Sequence, residues 1–254
     1  MEKIALITGA TSGIGEATAR ILAKNGVRLV LTGRRAERLH KLQQELQPQV
    51  ETRILCFDIR DKEMVFSQFN SLPEPWKKID ILINNAGNAH GFDLIHEGHT
   101  EDWEAMIDIN VKGLLYISKA VLPGMVERKT GHIINIGSIA GKEVYPRGNV
   151  YCASKFAVDA ISDGMRVDLN EFGIKVTEIN PGLVETEFAL VRFKGDRQKA
   201  GNVYQGLKPL KGEDIADVIW FILTRPAHVN LSDVVIFPTA QASATVVHRE
   251  LPNK

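Results

Sequence analysis

The stretch Ile4-Ala5-Leu6-Ile7-Thr8-Gly9-Ala10-Thr11-Ser12-Gly13-Ile14-Gly15 decides the fold. Its first four residues are uniformly apolar, as a strand buried on both faces requires. Glycines crowd its second half, and the helical pattern Ala17, Ile21, Leu22 follows at once. Glycines between a strand and a helix allow a tight turn and let the backbone come close to a phosphate. The helix then offers free N–H groups and the positive end of its dipole to the same anion. The spacing Thr-Gly-x3-Gly-x-Gly differs from the Gly-x-Gly-x-x-Gly of many dinucleotide folds, and no Gly-Lys-Ser/Thr follows, which disfavours a nucleotide-triphosphate loop. Taken alone, the stretch is also compatible with an ordinary strand-to-helix turn.

Six more short apolar runs lie downstream, at 27–32, 52–57, 79–83, 132–138, 174–179 and 234–237. Segments with apolar residues at helical spacing separate them. Leu39, Leu42 and Leu46 mark one, and Val65, Phe66 and Phe69 another, behind the N-cap candidate Asp61. A long helix opens at Thr100, runs through Ile117 and is expected to end at Pro123; the next covers 150–172. This alternation predicts a single-domain Rossmann-type α/β fold over 1–254: a doubly wound, seven-stranded parallel sheet with helices on both faces. The stretch 183–210 has weak periodicity and reads as a substrate lid, and 239–254 as a C-terminal tail.

Composition excludes several classes. Lys and Arg number 31 and Asp and Glu 31, so no nucleic-acid partner is implied. Cys56 and Cys152 are the only cysteines, which gives neither a disulfide framework nor a zinc spacing, and no metal is expected. No run approaches the roughly 18 apolar residues that cross a membrane. Met1-Glu2-Lys3 leads straight into the first strand without a signal-peptide pattern. The expectation is a cytoplasmic protein with no membrane partner.

Tyr151 and Lys155 place a phenol and an ammonium one above the other on a helix face. A nearby ammonium favours the phenolate and lowers the Tyr pKa from about 10, which suits proton exchange near neutral pH. That is the proton chemistry of interconverting a carbonyl and a hydroxyl, although Tyr-x-x-x-Lys by itself is common on solvated helices. Ser138 ends the fifth strand and Asn84-Asn85-Ala86-Gly87 the fourth, and carboxyl ends of strands face the ligand crevice of an open α/β sheet. Asn side chains there are expected to bond their own backbone. Gly33-Arg34-Arg35 ends the second strand, where an acidic residue would bind a ribose hydroxyl and Arg suits a 2′-phosphate. Basic groups at a helix N-terminus oppose its dipole, so the pair points to a bound anion and to NADP(H) over NAD(H). Asn110 stands mid-helix although Asn is a poor helix former.

In their order, the turn at 8–15, Asn84 to Gly87, Asn110, Ser138, Tyr151 with Lys155, and Pro181-Gly182 followed by Thr186 resemble the short-chain dehydrogenase/reductase family, from Lys3 to about Pro238. The resemblance implies an NADP(H)-dependent enzyme acting on CH–OH and C=O groups. It implies Tyr151 as acid for reduction and base for oxidation, Lys155 holding the nicotinamide ribose, Ser138 bonding the substrate oxygen, and Asn110 holding a water near Lys155. Gly9, Gly13 and Gly15 would face the pyrophosphate, Asp58 the adenine and Thr186 the carboxamide. Thr8, Thr11, Ser12, Ile14, Ile59, Asn85, Ala86, Gly87, Pro181, Gly182 and Val184 complete the implied cofactor set. A homotetramer through the long helices is also implied.

Within the family, 122–128, Gly148-Asn149-Val150-Tyr151 and 191–196 resemble the NADP-dependent 3-hydroxy acid dehydrogenases. This implies a small anionic aldehyde or 3-hydroxy acid, of the malonic semialdehyde/3-hydroxypropionate or serine type. Arg147 replaces a small residue expected there. Its guanidinium would hold a carboxylate or a sulfonate by paired hydrogen bonds, which keeps sulfoacetaldehyde reduction to isethionate open, or else it faces solvent. Arg192 and Phe193 of the lid are further substrate candidates. A reductase of neutral ketones and a nucleotide-sensing regulator are the rival readings.

Overall fold

A computed structural model describes residues 3–250; Met1, Glu2 and the last four residues of the expected tail lie outside the described residues. Seven strands form one sheet: β1 Ile4–Ile7, β2 Arg28–Gly33, β3 Thr52–Cys56, β4 Ile81–Asn84, β5 Gly131–Ile136, β6 Ile174–Pro181 and β7 Asp233–Ile236. Their order is β3-β2-β1-β4-β5-β6-β7, all parallel. The helices are α1 Gly13–Lys24, α2 Ala36–Leu46, α3 Lys62–Asn70, the short α4 Glu74–Lys77, α5 Thr100–Ile107, α6 Leu114–Arg128, α7 Asn149–Leu169, α8 Phe188–Arg192, α9 Arg197–Asn202 and α10 Gly212–Leu223.

The apolar runs are continuous because alternate residues enter different cores. Ala5 and Ile7 of β1 pack with Leu22 of α1, Leu39 of α2 and Ile219 of α10. Ile4 and Leu6 of the same strand pack with Phe69 of α3 and Val121 of α6 on the other face. One sequence pattern thus demands helices on both sides. The direction of winding reverses between β1 and β4, so the turns after these neighbouring strands part and leave a crevice at their carboxyl ends.

Two local features depart from the sequence reading. The helix expected to stop at Pro123 continues to Arg128 and closes on Lys129, whose φ is 51°. Pro123 and Lys119 both face solvent, so the carbonyl that the proline leaves without a helical donor can be hydrated, while buried Val121 and Met125 hold the helix in place. Between α5 and α6, Asp108–Gly113 forms a π-helical turn containing Asn110. The widened turn accommodates a buried polar residue that an ordinary helix disfavours.

Candidate active site

The cleft floor is a hydrogen-bonded weld between the turns after β1 and β4. Thr8 Oγ1 accepts the N–H groups of Asn85 and Ala86 at 3.0 and 2.9 Å. Asn85 Nδ2 donates to the carbonyls of Thr8 and Gly9 at 2.9 and 3.1 Å. Asn84 donates sideways, to Ser118 and Asn135. The two asparagines therefore join separate segments instead of bonding their own backbone. They do so because the parallel sheet sets β4 between β1 and β5.

Gly9 and Gly13 both have left-handed φ, 66° and 56°, and side chains there would press on Ala86 and Thr186. At the start of α1, the N–H groups of Gly13, Ile14 and Gly15 have no helical acceptor. The loop and the adjoining strand ends border a cleft of about 720 Å³. Arg34, Arg35, Asp58 and Ile59 line it, as do Pro181, Gly182, Val184 and Thr186. A bare glycine turn, exposed N–H donors and an arginine pair fit a phosphorylated dinucleotide.

Thr8, Gly15, Asn110 and Arg147 do not border this cleft. Thr8 is the buried acceptor just described. A side chain at Gly15 would collide with the Asn85 amide and the Gly9 carbonyl, so its glycine serves the weld. Asn110 lies behind the wall, bonded through Oδ1 and Nδ2 to the Asn88 backbone and through Nδ2 to Ser154. Gly87 sits against both the Asn110 amide and the Lys155 ammonium. Arg147 is exposed, with φ 64°, at a small depression shared with Asp93, Asp102, Tyr151 and Arg192.

Tyr151 and Lys155 share one face of α7 and are both buried. Lys155 donates to the Ile136 carbonyl at 2.9 Å, and burial pulls its pKa down to about 8 against the opposing charge of Glu178. Burial pushes the Tyr151 phenol above its ordinary value, Tyr145 adds to that rise, and the Ser138 hydroxyl and Arg192 charge oppose it. The expected lowering by Lys155 is not seen: desolvation dominates the phenol, and Lys155, bonded to the Ile136 carbonyl, is not among the main causes of its shift. Ser138 Oγ accepts the Ala140 N–H at 3.1 Å, which leaves its own proton free to donate.

The lid closes from above. Arg192 Nη1 donates to the Tyr145 hydroxyl at 2.9 Å, and its guanidinium lies 5.5 Å from the Tyr151 ring centre and 4.7 Å from that of Phe92. Phe193 meets Phe92 edge-on, and Phe188 packs on Tyr151. At the other end Glu187 receives Arg35 at 2.6 Å and Arg38 at 2.8 Å. Arg35 also donates to Thr11 and Ser12 of the glycine loop. Asp58 takes Arg60 at 2.7 Å and Arg34 at 3.4 Å; burial opposes its ionisation, but these cations leave its pKa below the ordinary value. The described part of the tail folds back on its own chain. Gln241 Oε1 accepts the Leu183 N–H, and Arg249 donates to carbonyls of Gln205 and Val203.

Sequence reading missed Tyr145, Arg38, Glu187 and Gln241. Arg38 lies one turn along α2 from Arg35, a spacing that could have found it. Tyr145 lies just before α7 and Glu187 follows Thr186 in the lid, but neither they nor Gln241 carry a local sequence signal of their role.

A doubly wound sheet with a glycine turn at its switch point and a buried Tyr–Lys pair facing the cleft defines a nucleotide-dependent oxidoreductase architecture. The family model described as short chain dehydrogenase matches residues 3–196, and the chain belongs to that family. It is 50% identical over 248 residues to the NADP-dependent 3-hydroxy acid dehydrogenase of Salmonella typhi, covering 97% of this chain and 99% of that protein. It is 44% identical over 252 residues to sulfoacetaldehyde reductase 2 of Chromohalobacter salexigens, covering 98% and 100%. Among solved structures, the closed form of a serine dehydrogenase complexed with NADP+ superposes with a TM-score of 0.91 at 47% identity, covering 97% of this chain and all of that one.

Proposed function

We propose that this protein is an NADP(H)-dependent oxidoreductase that interconverts a small anionic aldehyde and the corresponding 3-hydroxy acid, of the malonic semialdehyde or serine type. The observation that carries this reading is Arg192. Its charge is held over the Tyr151 ring by Tyr145 and the Gly91 carbonyl, at 2.9 and 3.3 Å, on the cleft side of the lid. A carboxylate a few bonds from a reacting carbonyl can reach this guanidinium while its oxygen reaches Tyr151. Arg147 is exposed at a small depression that Tyr151 and Arg192 also line, but it does not border the cleft itself and is less well placed for that role.

Gly9, Gly13 and the start of α1 would receive the dinucleotide's phosphates, and Arg34, Arg35 and Arg38 its ribose phosphate. When bound, the nicotinamide supplies or accepts the hydride. Ser138 donates a hydrogen bond to the substrate oxygen. Tyr151 protonates that oxygen in reduction and takes its proton in oxidation. Lys155 stabilises the phenolate once its charge faces Tyr151, and Asn110 orders the polar pocket behind it. Leu115 on α6 and Phe156 and Val167 on α7 stand exposed, which supports a homotetramer built on these helices.

The test is NADPH consumption with malonic semialdehyde, sulfoacetaldehyde and a neutral ketone offered separately to the purified protein. Turnover of malonic semialdehyde, with KM rising in Arg192→Met, supports the reading. Preference for sulfoacetaldehyde, as the relative of that name allows, would make the anion a sulfonate. Turnover of the ketone alone would remove Arg192 from substrate binding. NADPH binding with no turnover of any of the three would favour a nucleotide sensor.

A further inference from the structure

Glu178 on β6 is a buried carboxyl that the reaction above leaves unused. Its side chain is 1% exposed, and its Oε1 meets no hydrogen-bond partner among the described residues. Glu178 pairs in register with Asn135, whose amide donates to Ser162 of α7, so both face that helix. On α7, Tyr151, Lys155 and Asp159 recur every fourth residue and form one stripe. The Tyr–Lys pair thus continues into an acid.

Asp159, Glu178 and Asp233 of β7 converge on a single cation. Lys142 Nζ bonds Asp159, and lies 2.8 Å from Asp233 and 3.4 Å from Glu178. The cluster is tied to the active site through Asn180, which donates to Asp233 at 2.7 Å and accepts the Ser138 N–H at 2.9 Å. A side chain at Gly137 would strike both Asn180 and Glu178, so the acid lies directly against the strand end that carries Ser138. Three carboxyls around one ammonium exceed its charge. A proton held between Glu178 and Asp159 relieves the excess. Burial and the Asp159 contact raise the Glu178 pKa, with Asn180 and Lys142 opposing. Arg166 adds a positive charge on the Asp159 side, and Lys155 feels Glu178 from the active-site side.

We propose that Glu178 is a positioning residue for the reaction, acting through Lys155 by keeping a negative charge behind its ammonium and through Asn180 by fixing the Ser138 strand end. In acid the carboxyl pair holds its proton. As pH rises the proton leaves, and the added negative charge keeps Lys155 protonated where burial alone would strip it. The ammonium in turn favours the Tyr151 phenolate that oxidation needs, so Glu178 extends the working range on the alkaline side.

Because this rests on the roles given to Lys155 and Tyr151 above, the effect is read first without substrate. Lysine is labelled with carbon-13 at Cε, the Lys155 signal is assigned by its loss in Lys155→Met, and its shift is followed against pH. In Glu178→Gln the Lys155 midpoint should fall by roughly half a pH unit or more, the shift expected from removing one charge at close range in a partly screened interior. Asp159→Asn should move it in the same direction, and thermal melting establishes that each variant is folded. Asp163→Asn, an exposed acid on the same helix, should leave it in place. With any turned-over alcohol, the rising limb of the oxidation profile should move to higher pH in Glu178→Gln. A Lys155 midpoint unmoved in both folded variants, or a kcat loss equal at every pH, overturns the proposal. Failure to find a substrate would leave the titration result standing.

Discussion

The cleft floor around Thr8 and Asn85 and the lid around Glu187 and Arg192 are bound to the chain by opposite kinds of contact. Neutral hydrogen bonds of 2.9–3.1 Å, made by groups largely out of water, hold the floor. Ion pairs hold the lid: Arg35 and Arg38 to Glu187, with side chains 41–47% exposed, and Lys194 to Asp102 at 2.9 Å. Buried neutral bonds ignore salt and are costly to leave unmade. Exposed ion pairs are individually weak and screened. The difference suits a surface that must be preset for a dinucleotide beneath a cover that must open and close.

The largest effect belongs to the proton donor on the floor side. Tyr151→Phe should lower kcat by about 10³ while NADPH still binds, since general acid–base catalysis contributes on the order of 10²–10⁴. Steady-state rates and fluorescence titration of NADPH would check the two halves. Persisting turnover would remove Tyr151 from the proton transfer. Next comes the lid's cation. Arg192→Met should raise KM for an anionic aldehyde by roughly 10- to 100-fold, as expected for losing a charge-assisted contact, with a smaller change in kcat.

Stability separates the floor further. Lys155 is depressed to about 8 from an ordinary value near 10.5. Between those values the unfolded chain binds more protons than the folded one, so stability rises with pH across that window, and the cost of burying the charge is fully present below it. Lys155→Met should therefore raise the melting temperature at neutral pH, by about 1–3 kcal/mol in stability, and the advantage should fade above about pH 10. Asn85→Ala should act oppositely, costing about 1–3 kcal/mol at any salt concentration because buried carbonyls lose their donor.

The smallest effect in stability is at Glu187. Glu187→Gln should change it by less than about 1 kcal/mol, since the pairs are exposed. Yet proteolysis within 183–210 should quicken in the variant, and in the wild type at high salt. Arg35 and Arg38 hold the Glu187 pKa below its ordinary value. The contact is therefore present above the ordinary carboxylate range and lost as pH falls through the depressed value, so acid should also loosen the lid. A lid equally protected at all salt concentrations would show that its apolar contacts, Phe188 on Tyr151 and Phe193 on Phe92, outweigh its charges.

Much of this was legible before the structure. Ile4–Ile7 with the following glycines announced the β1-to-α1 turn because backbone freedom is a property of the residue itself. Tyr151 and Lys155 were legible because helical periodicity puts them on one face. Pro123 misled because its cost depends on whether the freed carbonyl reaches water, which is a matter of exposure. Asn84 and Asn85 were read as locally bonded because parallel pairing, which brings Thr8 and Asn135 beside them, is not written within four residues of either.

Periodicity and glycine placement determined from sequence alone that the chain is a doubly wound α/β fold with its phenol and ammonium on one helix, since each of these is local; the oxidoreductase reading came from the order of its motifs, which resembles a known family. Which groups face that pair was decided by tertiary structure. Arg192 reaches Tyr151 from 41 residues away, Glu187 reaches Arg35 from 152, and the Glu178 charge raises the Lys155 pKa from another element, β6. Their charges act through space, and distance in space between remote segments is set only when the sheet closes their loops together.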